Sequence, residues 1–316
     1  MAHQITVTKG KAEMAYVGEK PWHGLGQELK AGADINTWKK EAGMDWTIKS
    51  SPVTYGPGLQ FDGYQALYRS DTDDALSIVS SNYKVVQPAE VLEFFRDLVG
   101  ANGFELTTAG TLFGGKRFWA LASIGKEACI VGKNRDKVGG YLLLSSSCDG
   151  TLATTARFTS VRVVCNNTLT LANKDKAEVV IRHRSDFDPS AVKNQLGVAR
   201  DLFADFMKEM RSLAAVKLDR AYASEFVATL LKDTKTIYKE EAEKSRQHQT
   251  IMNLYDGSGM GADMAGQTAW GLLNSVTEFV DHHARAKTDS ARLASAWFGR
   301  GDDLKTTAAE RLLELV

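Results

Sequence analysis

An α+β fold is predicted by three observations: a mostly antiparallel sheet with one covering helix in the N-terminal half, followed by a helical C-terminal region. Short β-favouring runs separated by Gly and Asp turns occupy the first 187 residues. One stretch among them, "QPAEVLEFFRDLVG", has helical spacing. From Asp188 onward the apolar period becomes that of amphipathic helices. The expected domains are therefore a sheet domain over 1–187 and a helical region over 188–316.

Taken in order, "GYQALYRSDTDDALSIVSSNYKVV" supplies two or three short strands. The helix follows, with Pro88 near its start, Gly100 at its end and Val91, Leu92, Phe95 and Leu98 on one face. "FELTTAGTLFGGKRFWALAS" reads as a hairpin turning at Gly114-Gly115. "GYLLLSSSCDGTLATTARFTSVRVV" reads as a second, turning at Asp149-Gly150. After Cys165, Asn166 or Asn167 is expected to cap a short helix, "TLTLANK". Six amphipathic segments make up the C-terminal region, with Pro189 in the first turn of the first. "GSGMGADMAG", Gly257 to Gly266, is the expected flexible joint.

The 316 residues are 43% hydrophobic and 25% charged, the composition of a soluble globular protein. Lys plus Arg and Asp plus Glu number 39 each, so any electrostatic site must be local. No signal-peptide core or membrane-length apolar run is present, and a cytoplasmic protein is expected. Cys129, Cys148 and Cys165 form an odd set with no C-x-x-C pair, and the six histidines are scattered. That pattern supports neither a disulfide framework nor a metal site, and no cofactor is expected.

Several motifs suggest chemistry that their context withdraws. "GTLFGGK" has the spacing of a phosphate-binding loop, but Arg117 stands where a magnesium-binding hydroxyl belongs and a strand follows where a helix is needed. "EFVDHH" sets Glu278 and His282 four apart on one helical face, yet no third ligand is identifiable. Cys165 lacks a recognisable base and oxyanion site, so a core thiol is the expected role. In "PWHGLG", Trp22 is expected to plug the core while Gly24 and Gly26 take positive φ; the alternative is a ligand-contacting loop.

Charge is uneven along the chain. Residues 126–187 carry 10 Lys/Arg against 6 Asp/Glu, whereas 1–125 carry 12 against 14 and 188–316 carry 17 against 19. The basic middle segment holds "RFTSVRVVCNNTLTLA", an apolar strand with two arginines.

"AYVGEKPWHGLGQEL", "FTSVRVVCNNTL" and "TAWGLLNSVTEFVDH" resemble the signature segments of a phage- and plasmid-related domain-of-unknown-function family. The resemblance implies a setting on mobile elements and supplies no catalytic residue. The order of strands around a helix is also similar, at fold level, to the β-β-β-α core of Rad-fifty-two-type single-strand annealing proteins. Such a protein needs a basic groove that holds the backbone and leaves base edges free. The expected phosphate contacts are Lys116, Arg117, Lys133, Arg135, Lys137, Arg157, Arg162, Arg182 and Arg184. Phe158, Trp119 and Tyr141 are the stacking candidates, the alternative being that these aromatics are core. Arg162 shares a strand face with Phe158, which sets Arg157 at the rim.

The reading is a non-catalytic nucleic-acid-binding protein, a single-strand annealing or recombination accessory factor whose partners are single-stranded DNA and further copies of the chain. Two alternatives stand beside it: a factor that counters host defence by binding a host protein, and an enzyme with a pocket around Cys165 and His183.

Overall fold

The computed structural model describes residues 5–18, 25–102, 104–124, 129–131, 136–162, 167–170, 178–183, 188, 199–234 and 242–316. Strands β1 (Met14–Val17) and β2 (Gln27–Leu29) precede helix α1 (Ile35–Glu41). Then come β3 (Ile48–Tyr55), β4 (Leu59–Arg69), β5 (Ala75–Ser80), α2 (Pro88–Asn102), β6 (Glu105–Leu112) and β7 (Arg117–Ser123). β8 (Cys129–Val131), β9 (Asp136–Ser147), β10 (Thr154–Arg162), β11 (Asn167–Thr170) and β12 (Glu178–Ile181) follow. The helices after them are α3 (Ala199–Ala215), α4 (Arg220–Asp233), α5 (Arg246–Asn253), α6 (Ala269–Glu278), α7 (Asp289–Phe298) and α8 (Arg300–Leu313).

The order is α+β, with antiparallel sheet early and helices late. Contacts divide the chain into two compact units, one of 1–125, 141–157 and 178–197, the other of 126–140, 158–177 and 198–316. The division is thus not a single cut, because the chain changes unit within β9 and again within β10.

In the first unit the ladder runs β2-β1-β6-β7-β9, antiparallel except for the parallel β1–β2 pair. Phe118 to Leu121 are all buried, so both faces of β7 are covered and its sequence has no polar alternation. Helix α2 packs on β6 and β7 with Val91, Leu92, Phe94 and Phe95 buried, the covering helix expected from its apolar stripe. Both expected hairpins form, with left-handed glycines at Gly114, Gly115 and Gly150. A separate three-stranded sheet, β3-β4-β5, belongs to the same unit.

The second unit is built around α6, all ten residues of which are buried. Thr268 caps α6 by accepting the Gly271 amide, and Gly271 is required there because a Cβ would lie 2.0 Å from the Gly266 carbonyl oxygen. Trp270 on α6 donates its indole N–H to Asp136 at 2.9 Å. Asn167–Thr170 is not the expected helix but strand β11, paired antiparallel with Thr159–Arg162. The alternating Thr168-Leu169-Thr170 favours a strand once a neighbouring edge is offered, and that tertiary pairing overrides the capping signal. Pro21 to Gly24 lie outside the described residues, as do Cys165 and Asn166, while Gly26 has the expected positive φ of 104°.

The Gly257–Gly266 segment is a closed turn. Residues Leu254–Ser258 form a π turn ending through Gly257 at φ 126°, and Ala262–Ala265 form one short helical turn. Both carboxylate oxygens of Glu278 accept the Met260 amide, at 2.9 and 3.2 Å. Among the described residues no helix is long and apolar enough to cross a membrane.

Candidate nucleic-acid interface

Two hairpin turns of the first unit set the frame. Between β6 and β7, Phe113, Gly114 and Gly115 have successive positive φ values of 58°, 72° and 90°. The Gly115 amide donates to Leu112 and to the Thr6 hydroxyl. A side chain at Gly115 would come within 2.8 Å of both Arg69 and Trp46, so the turn is held against the core. It delivers Lys116 and Arg117, both half-buried, to the start of β7.

The second turn, between β9 and β10, is tied to the first by the Cys148 amide, which donates to the Lys116 carbonyl at 2.9 Å. Arg117 lies over the Phe113 ring at 5.1 Å and donates to the Thr151 hydroxyl at 3.0 and 3.2 Å. Burial opposes ionisation of Asp149, but hydrogen bonds from the Thr151 hydroxyl and amide outweigh it and hold that carboxyl below its usual range.

His183 brings in two further segments. Its ring nitrogens lie 3.0 Å from the carbonyl oxygens of Lys84 and Leu152, and the Lys84 amide donates to the His183 carbonyl at 2.7 Å. The Tyr83 ring stacks on the imidazole with centroids 4.5 Å apart and planes 18° apart. The Tyr83 hydroxyl donates to the Ser147 carbonyl at 3.0 Å, and burial pushes that phenol well above its usual pKa. Arg182, beside His183, and Lys84 are both exposed. One bonded network therefore joins segments carrying Lys84, Lys116, Arg117 and Arg182, with Asp149 as the carboxylate among them.

Of the residues expected to contact phosphate, Lys116, Arg117 and Arg182 thus lie on segments that this network joins. Arg157 is only 6% exposed and lies opposite Glu178 in the β10–β12 register, which removes it from the rim. Phe158, 2% exposed, and Trp119 are core residues, and burial raises the Tyr141 phenol. Phe158 and Trp119 therefore have no face to offer a base, whereas Tyr141 is half-buried. Lys137 lies on β9 and Arg162 on β10, opposite Asn167. Lys133, Arg135 and Arg184 lie outside the described residues. Tyr83 and Lys84 were missed by sequence reasoning; the signal available was an aromatic-lysine pair just after the polar turn Ser81-Asn82.

Both ring nitrogens of His183 face backbone carbonyls, and Cys148 is a buried thiol pushed up to about 12 by burial. Among the described residues no cluster of three or more His, Cys, Asp or Glu can hold a metal. A cleft of about 290 Å³ in the second unit is lined by Asp233, Thr234, Arg300, Asp303, Thr307 and Arg311. Its two hydroxyls already donate to the Leu230 and Asp303 carbonyls.

No curated protein and no solved structure matches the chain. A family profile matches residues 75–297. That span contains "FTSVRVVCNNTL" and "TAWGLLNSVTEFVDH" together with every cation of the network, and leaves "AYVGEKPWHGLGQEL" outside. Because the match covers well over half of the sequence, the chain belongs to the family described as Domain of unknown function (DUF932).

Proposed function

We propose that this chain binds single-stranded nucleic acid without catalysis, as an annealing or recombination accessory factor of phage or plasmid DNA. One observation carries the reading: one hydrogen-bonded network joins the segments that carry Lys84, Lys116, Arg117 and Arg182, from three distant parts of the sequence, and among its described residues Asp149 is the carboxylate. In a chain of zero net charge, such a local excess of cations is what a phosphate backbone requires. The Tyr83–His183 stack supplies flat rings beside those cations. Phosphate contacts of this kind leave base edges free for pairing.

The test is titration of a labelled oligothymidylate at several salt concentrations. Binding is expected to weaken with salt, and Lys116→Ala with Arg182→Ala to lower affinity and reduce the slope of log K against log salt by about 0.7 per lost contact. Arg117 is left intact because its guanidinium also ties the two turns. Unchanged affinity and slope in a folded double variant would overturn the reading. An increase in the annealing rate of complementary strands on adding the protein tests the finer assignment.

A further inference from the structure

Chain from Lys49 to Tyr64 is exposed almost throughout although it is paired as a hairpin, so the outer parts of β3 and β4 form an arm with both faces in solvent. The arm carries apolar side chains where solvent would favour polar ones. Tyr55, Leu59, Phe61, Tyr64 and, on β5, Ile78 are each 49–64% exposed. They share a face. Tyr55 is the register partner of Leu59. Tyr55 meets Phe61 edge to face at 6.0 Å, and Phe61 meets Tyr64 at 5.4 Å. Ile78 lies opposite Ala66, two residues from Tyr64.

A bulge assembles the set. Pro52 pairs with Gln65 and Thr54 with Gln60, so Phe61 to Tyr64 stand opposite Val53 alone, and Gly63 takes the left-handed φ of 82° that the detour needs. On its other side, β4 pairs with β5 only from Tyr64 onward. Among the described residues the edge of Leu59 to Asp62 is therefore open.

We infer that this arm is a self-association surface whose occupant is the same arm of a second copy of the chain. Charge selects against nucleic acid here, since Lys49 and Asp62 are the only charged residues from Ile48 to Tyr68 and cannot neutralise a phosphate backbone. An uncharged apolar face needs an equally uncharged partner, and the chain carries one. The open edge is its own complement, because a strand segment pairs antiparallel with its copy across a two-fold axis. The area also suffices. About 100 Å² from each of five half-exposed side chains gives about 500 Å² per copy, or about 1,000 Å² in total, where specific interfaces begin. The inference is independent of the nucleic-acid reading, which uses other residues.

Sedimentation equilibrium of the full chain and of Phe61→Ser and Ile78→Ser, over about 1–100 μM, tests it. The wild type is expected to dimerise within that range. Both variants should weaken dimerisation tenfold or more while retaining the wild-type circular dichroism, and Ile78→Ser carries the test if Phe61→Ser folds poorly. Three results overturn it: a wild type that stays monomeric, folded variants that associate as the wild type does, or a loss of oligothymidylate affinity in Phe61→Ser without any change in association. The last would assign the arm to base stacking.

Discussion

Glu13 and Arg69, 56 residues apart, form a buried bidentate ion pair, with Nη2 to Oε1 at 2.6 Å and Nη1 to Oε2 at 3.1 Å. Arg69 is 1% exposed, lies 4.0 Å over the Trp46 ring and also donates twice to Asp71. Burial opposes its charge, but Asp71 and Glu13 outweigh that cost and raise the guanidinium pKa above its usual range. Glu13→Gln is expected to destabilise the fold by about 3–5 kcal/mol, because it leaves a buried cation short of a partner. Urea unfolding measures this, and a loss below about 1 kcal/mol would contradict it.

Acid stability should carry the mark of Glu93. Hydrogen bonds from Arg96 outweigh burial, and Lys39 adds to them, lowering its pKa to about 2. A carboxyl whose pKa is lower folded than unfolded contributes stability that is present above the unfolded value of about 4.3 and is lost as pH falls toward the folded one. Asp71, held down by its bonds from Arg69, acts in the same sense. The melting temperature is expected to drop between about pH 5 and pH 2, and by less in Glu93→Gln. Parallel acid limbs for the two proteins would refute the assignment.

Those two clusters also show what the sequence could reveal. Turns at Gly114-Gly115 and Asp149-Gly150, and the stripe of α2, were legible because each is encoded within a few neighbouring residues. Arg69 gives no local sign that it is buried, since Glu13 and Trp46, which enclose it, come from other segments. The same holds for the candidate site: His183 joins Lys84 across 99 residues, a relationship that no spacing rule expresses. Periodicity failed where the backbone itself changed period. The helical spacing of four pairs Glu278 with His282, but α6 continues into a π turn at Phe279–His283, and it is His283, five residues on, whose Nε2 lies 3.6 Å from Glu278.

Cys148 should be chemically inert in the native protein. Its thiol is buried, directed at the Gly115 and Lys116 carbonyls and raised to about 12 chiefly by burial, so almost no thiolate exists near neutrality. Iodoacetamide at about pH 8 is expected to leave Cys148 unmodified until denaturant is added, as mapped by mass spectrometry. Rapid native labelling at this position would overturn the assignment.

Glu278 holds the Gly257–Gly266 turn more than it serves His283. Its buried carboxylate accepts the Met260 amide, whereas His283 is largely exposed. Glu278→Ala removes the acceptor of that amide and is expected to cost about 1–3 kcal/mol, while His283→Ala costs below about 1 kcal/mol because its ring is an exposed neighbour of the carboxylate. Equal losses in thermal unfolding would show that the His283 contact carries the effect.

The pair Lys305 and Asp281 allows a sharper separation of pairing from packing. Lys305 on α8 donates to Asp281 in the π turn at 2.9 Å, and their side chains are 1% and 8% exposed. Taking both charges out of water costs several kcal/mol per ion, a cost that mutual attraction can offset only while both partners are present. Lys305→Met keeps the volume but removes the cation bonded to a buried carboxylate, and should destabilise by about 3–5 kcal/mol. Adding Asp281→Leu removes the stranded charge as well. If pairing is what matters, the double variant recovers part of the loss and the double-mutant cycle shows a coupling of about 0.5–3 kcal/mol. If the two losses simply add, the lysine stem contributes through packing alone and the ion pair is incidental to the fold of α8 against the π turn.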